Sequence, residues 1–188
     1  MSHRRARGGR ALVCLGLAAI LASALVTGYD AWDEARAGRD AAAALTQLQA
    51  LELSAGTHED ADLSGPMPEV ERDGVSYIGV LELPTIGLAL PVQTRCTDSA
   101  LKRSPCRVEG SLYDGDLVVV GLDYASHFRL LRDLVPGDEV RFTDVRGNQF
   151  DLQVKTVDES AEDGGCPLTL VCDRVTVRCD LVAAHAVR

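Results

Sequence analysis

The sequence predicts a mainly β domain, a closed barrel of about 110 residues, preceded by helical segments. Three observations point there. From Val75 onward the chain breaks into short apolar or alternating runs divided by turn residues. One run, Leu117 to Gly121, is continuously apolar, as a strand buried on both faces would be. Glu139 to Thr143 and Gln149 to Lys155 alternate on either side of Arg146-Gly147-Asn148, which reads as a hairpin.

A chain of 188 residues with 46% hydrophobic content holds one ordinary domain and an appendage, not two full domains. Residues 1–10 are basic, with Arg4, Arg5, Arg7 and Arg10. Residues 11–29 carry no charge and are mostly Ala, Leu, Val and Ile. That length suits a helix crossing the roughly 30 Å hydrocarbon core, and the arginines favour a cytoplasmic N-terminus. The expectation is a single-pass transmembrane signal anchor in the cell membrane, with the C-terminal domain extracellular. A cleaved signal peptide competes with it, because Ala22-Ser23-Ala24 offers small residues for a peptidase.

Residues 30–74 read as a helical stalk followed by an acidic linker. Asp30 to about Leu53 is Ala-rich, with Leu45, Leu48 and Leu51 recurring on one face. Thr57 to Gly74 carries Gly65-Pro66, Pro68 and scattered acids, without periodicity. The barrel is expected over residues 75–188. Val75 to Leu83 is its first strand, ended by Pro84, and Leu88 to Gln93 its second. After Leu117–Gly121, Ser126 is the expected N-cap of a short helix running to Leu134 and closed by Pro136-Gly137. The hairpin follows, and Leu168–Val171 and Arg174–Ala183 are the last strands.

The formal charge is −9, and beyond the four N-terminal arginines the remainder carries −13. An acidic exterior domain argues against nucleic acid or anionic lipid as its partner. Six cysteines are present. Cys14 lies in the apolar segment as a small hydrophobe. Cys96–Cys106 and Cys166–Cys172 are both open as disulfides, since sequence alone does not set connectivity. No Cys-x-x-Cys occurs, and His58, His127 and His185 are scattered, so no metal site is expected.

The run Leu117-Val118-Val119-Val120-Gly121-Leu122-Asp123-Tyr124-Ala125-Ser126-His127-Phe128, followed by Leu131, Leu134, Gly137-Asp138 and Phe142-Thr143-Asp144, resembles the sortases. These are the cysteine transpeptidases of the bacterial surface, in which the segment reads strand, Gly-His-Asn-Tyr, Ser-His-Phe, Leu, Leu, Gly-Asp. Tyr77 to Pro84 and Leu90-Pro91-Val92 are similar to the family's opening strands. Leu101, Ser104 to Arg107 and Gly110-Ser111 look like the stretch before the histidine strand in small class B-type sortases. Leu168-Thr169-Leu170 and Arg174 to Cys179 look like the strands carrying the catalytic cysteine and arginine. The resemblance covers Tyr77 to Ala184 and implies an eight-stranded barrel, with a sorting-signal peptide or surface protein as substrate and no cofactor.

The family's reaction uses a thiolate to attack an amide carbonyl, an imidazole to move protons, and a guanidinium to hold the peptide and the developing oxyanion. By resemblance the cysteine falls on Cys172 and the arginine on Arg174, while the histidine position holds Leu122. Asp123 stands where the family has Asn. His127 matches the second, non-catalytic histidine, and it is the only nearby imidazole that could substitute. Cys179 takes a structural cysteine position. Three readings follow: a sortase-like protein impaired in catalysis that binds a peptide or partner; a divergent active transpeptidase using His127 and Cys172; and a structural domain of the cell envelope.

Overall fold

The computed structural model describes Ala42, Leu45, Thr46 and residues 63–159, 165–173 and 175–186. The anchor of residues 11–29 and Leu48 and Leu51 of the stalk lie outside the described residues. Among the described residues nine strands follow one another: β1 (Val70–Arg72), β2 (Val75–Leu83), β3 (Leu88–Gln93), β4 (Cys106–Glu109), β5 (Leu117–Val120), β6 (Glu139–Asp144), β7 (Asn148–Asp158), β8 (Leu168–Cys172) and β9 (Val175–Ala186). They pair in the order β1-β2-β3-β4-β5-β8-β9-β7-β6, and β6 returns to pair with β2. Eight strands therefore close a ring, as the sequence predicts. β1 is an extra strand on the edge of β2 that β6 occupies further along.

Two strands were not anticipated. β1 falls inside the expected linker, and its cause is local. Arg72 pairs with Val75 across Asp73-Gly74, both at positive φ, 51° and 75°. Asp-Gly with both residues left-handed is the two-residue turn that matches the twist of a hairpin. β4 is four residues long, with Val108 56% exposed. A strand that short and that wet shows no hydrophobic period to read.

The expected helix from Ser126 to Leu134 is replaced by turns and a short 3₁₀ segment, Arg129–Asp133, with Phe128 at its N-cap position and no side-chain cap. The Ser126 hydroxyl is buried and caps nothing. The backbone takes over: the Phe128 amide donates to the Leu122 carbonyl at 3.1 Å and that of Arg129 to the Tyr124 carbonyl at 3.2 Å. Pro84 ends β2 as expected and opens a 3₁₀ turn, Pro84–Ile86. β9 continues three residues beyond Ala183, paired along β7 up to Asn148 with Ala186.

The barrel interior is filled by Ile78, Leu81, Leu117, Phe128, Phe142 and Phe150, all essentially buried. Outside it, Leu45, helical in the structure, packs on Tyr77 and Val80. At the β6–β7 turn the Asp144 carboxyl, 1% exposed, accepts four hydrogen bonds. They come from the Tyr113 hydroxyl at 2.5 Å, the Arg146 and Asn148 amides at 2.8 and 2.9 Å, and the Asn148 side chain at 2.8 Å. This network ties the hairpin to the β4–β5 connection, and burial followed by Asp144 drives the Tyr113 hydroxyl well above its usual pKa.

Asp144→Ala leaves four donors without an acceptor and is expected to cost on the order of 3 kcal/mol. Tyr113→Phe removes one link and should cost about 1 kcal/mol. Urea unfolding midpoints of the two variants check the order.

Candidate functional site

Two strands running in the same direction build the corner that holds Leu122 and Cys172, the family positions that the resemblance implies. β5 and β8 pair in parallel from Leu117 with Leu168 to Val120 with Val171. The Gly121 amide extends the ladder by donating to the Val171 carbonyl at 3.0 Å. Leu122 and Cys172 therefore leave their strands at the same end. Gly121 is required there: a Cβ would meet the Phe128 ring at 2.5 Å. The half-buried Leu122 offers no atom that exchanges a proton.

Strand alternation decides where Cys172 points. Leu168, Leu170 and Cys172 are buried, while Thr169 and Val171 are half-buried, so the thiol shares the core face. Cys172 is 3% exposed and belongs to the cluster that includes Leu117, Phe128 and Val177. It pairs with Val175, which leaves a connection of two residues. The first, Asp173, sits at φ 46°, a left-handed conformation that Asp tolerates better than most residues. The second, Arg174, lies outside the described residues.

The electrostatics act against a thiolate. The Cys172 pKa is pushed up to about 11, by burial first and then by Asp123 and Asp173, with Arg132 and Arg129 opposing. None of these charges is an imidazole. Asp123 is itself engaged: Arg132 donates to its carboxylate at 2.9 Å and Arg129 lies 3.6 Å away. Arg129 also donates to the Asp123 carbonyl at 2.8 Å. The sequence reading did not single out these two arginines. Their signal was the spacing of three, which one turn of helix turns into neighbours.

His127 is fully buried, with its ring 5.5 Å from that of Tyr124 and its amide donating to the Tyr124 carbonyl at 2.9 Å. The structure brings together Leu122, Asp123, Cys172, Arg129 and Arg132, and holds His127 within the fold. Cys96, Cys106, Cys166, Cys172 and Cys179 are all free thiols. Burial, and then neighbouring Cys96, push Cys106 up to about 12. Burial, and then Cys166, do the same to Cys179. Cys166 thus adjoins Cys179, whereas the sequence left Cys172 open as its partner. Among the described residues no group of three or more His, Cys, Asp or Glu side chains is placed to hold a metal ion.

No protein-family model matches the chain, and no curated protein matches it in sequence. Solved structures do match in shape. Sortase A of Listeria monocytogenes aligns with a TM-score of 0.53 at 14% identity, over 60% of this chain and 91% of that one. Sortase E of Streptomyces avermitilis gives 0.51 at 22% identity, over 58% and 90%. Sortase C1 of Streptococcus agalactiae gives 0.51 at 21%, over 65% and 74%. The domain has the sortase fold.

Two measurements test the state of the thiols. At pH 8 Cys172 should alkylate about two orders of magnitude more slowly than an ordinary thiol, with exposed Cys96 reacting first; mass spectrometry of timed iodoacetamide digests reads this directly. The raised values of Cys106, Cys172 and Cys179 also give the fold an alkaline limit. Their contribution is complete below the unfolded thiol pKa near 8.5 and is lost as pH rises through the folded values. The melting temperature should therefore fall steadily between about pH 9 and 12.

Proposed function

We propose that this chain is a membrane-anchored, sortase-like protein of the bacterial cell surface that binds a sorting-signal peptide, or a partner carrying one, without turning it over. The sortase fold supports the substrate class. The apolar run of residues 11–29 behind its arginines supports the anchor and the exterior location.

The observation that carries the loss of turnover is the Cys172 corner. The thiol lies in the core and its pKa is pushed up to about 11, and the neighbouring strand end supplies Leu122 where the reaction needs an acid. A positioned general acid or base contributes roughly 10² to 10⁴ in rate. A nucleophile needs its thiolate. Both requirements fail at one corner, so restoring either alone does not restore catalysis.

Intact-mass analysis after incubation with a panel of sorting-signal peptides tests this reading, alongside equilibrium binding of the same peptides. Saturable binding that survives Cys172→Ala, no acyl adduct on the natural chain, and an inert Leu122→His variant are the expected results. A peptide adduct that vanishes in Cys172→Ala would overturn it.

A further inference from the structure

Away from the Cys172 corner, β2, β3 and the segment leading to β4 enclose an open cleft of about 410 Å³ lined by polar side chains, among them Glu69, Ser76, Gln93, Arg95, Thr97 and Arg103. We infer that this cleft is a binding site for a phosphate-class dianion, a phosphate or diphosphate group carried by a small molecule or by a lipid headgroup.

The charge of the cleft is the first argument. In a chain of net charge −9, arginines find carboxylates easily, and several do. Arg107 bonds Glu69, Arg132 bonds Asp123, Arg141 bonds Glu139, and Arg178 bonds Asp158. Arg95 and Arg103 line the cleft with no carboxylate partner among the described residues. Glu69, the one acid on the wall among the described residues, is held by Arg107 at 2.8 Å. Two guanidiniums of like charge thus line one space whose only described carboxylate is already paired. An anion relieves their repulsion, and each planar fork matches two oxygens of a phosphate.

The second argument is that the walls are built. Gln93 is 3% exposed, and its amide nitrogen donates to the Ala100 carbonyl at 2.7 Å, the Ser104 carbonyl at 3.1 Å and the Ser104 hydroxyl at 2.9 Å. One buried amide therefore ties the end of β3, which carries Arg95 two residues later, to the segment Ala100–Ser104, which carries Arg103. The Thr97 hydroxyl accepts from the Ala100 amide at 3.1 Å and caps the one-turn helix Asp98–Leu101. The backbones beneath both guanidiniums are fixed before any ligand arrives, which lowers the ordering cost of binding.

The third argument selects the ligand. A carboxylate has two acceptor oxygens, and a single guanidinium satisfies both. Two guanidiniums beside the hydroxyls of Ser76 and Ser99 offer more donors than that, as a phosphate with three or four oxygens requires. The site stands whether or not the Cys172 corner is catalytic.

Calorimetric titration of the full chain in nonionic detergent, at a constant ionic strength of ~0.1 M set with sodium chloride, tests the inference. The probes are diphosphate, acetate and a short-chain phosphatidic acid. Saturable diphosphate binding is expected, weakened at least about tenfold in Arg95→Gln and in Arg103→Gln and unchanged in Lys155→Gln. Phosphatidic acid binding at least as tightly as diphosphate would assign the group to a lipid; weaker binding would assign it to a soluble ligand. No saturable response, an equal response to acetate, or affinity retained in both arginine variants would overturn the site. Each variant is checked for an unchanged melting temperature, because both arginines are exposed.

Discussion

The parallel pairing of β5 with β8 is the constraint on which the rest depends. β6 and β7 intervene in sequence, so this contact is non-local, and without it the eight-stranded ring is open between β5 and β8. The pairing costs loop-closure entropy that buried strand faces must offset. Leu117, Val119, Leu168 and Leu170 supply those faces and are inaccessible to solvent. Their register also places Leu122 and Cys172 at a common end, so the packing that closes the barrel also assembles the corner.

At that corner, packing and chemistry make opposite demands on one side chain. A nucleophilic cysteine needs exposure and positive potential to exist as thiolate. The period of two that keeps β8 in the core turns Cys172 inward, and the connection of two residues to Val175 leaves no slack to turn it out. Arg129 and Arg132 bring positive charge close, yet Asp123 absorbs much of it through its own ion pairs. Burial outranks the charges in setting the thiol. Cys172 behaves as a small core hydrophobe that closes a hairpin.

How much of this was legible follows from range. The β2, β3, β5, β6 and β7 strands announced themselves through alternation or unbroken apolarity. β1 was legible in principle, since Asp73-Gly74 is a strong local turn signal, but the acidic residues around it masked its three-residue partner. The 3₁₀ segment after β5 was misread because Ser126 matches an N-cap in composition, while capping depends on backbone angles that Gly121 and Phe128 set through packing. The expectation that Leu122 takes the family's histidine position rested on the resemblance alone. The inward orientation of Cys172, and the adjacency of Cys166 to Cys179, depend on strand register, which no local pattern encodes. Arg95 and Arg103 escaped for the same reason: only folding places them on one cleft.

Register also relates the cleft to the corner. Gln93 pairs with Cys106, Cys106 with Val120, and Val120 with Val171. One row of residues therefore crosses four strands, with the cleft's anchoring amide at one end and the neighbour of Cys172 at the other. Strands lie about 4.8 Å apart, so the two ends are separated by roughly 14 Å along the rim. Four or five extended residues cover that span. The barrel rim carries the cleft with Arg95 and Arg103 at one end of the row and a thiol-burying corner at the other. Two guanidiniums that have no carboxylate partner among the described residues line one cleft of an otherwise acidic domain, and they favour an anion there by field as well as by contact.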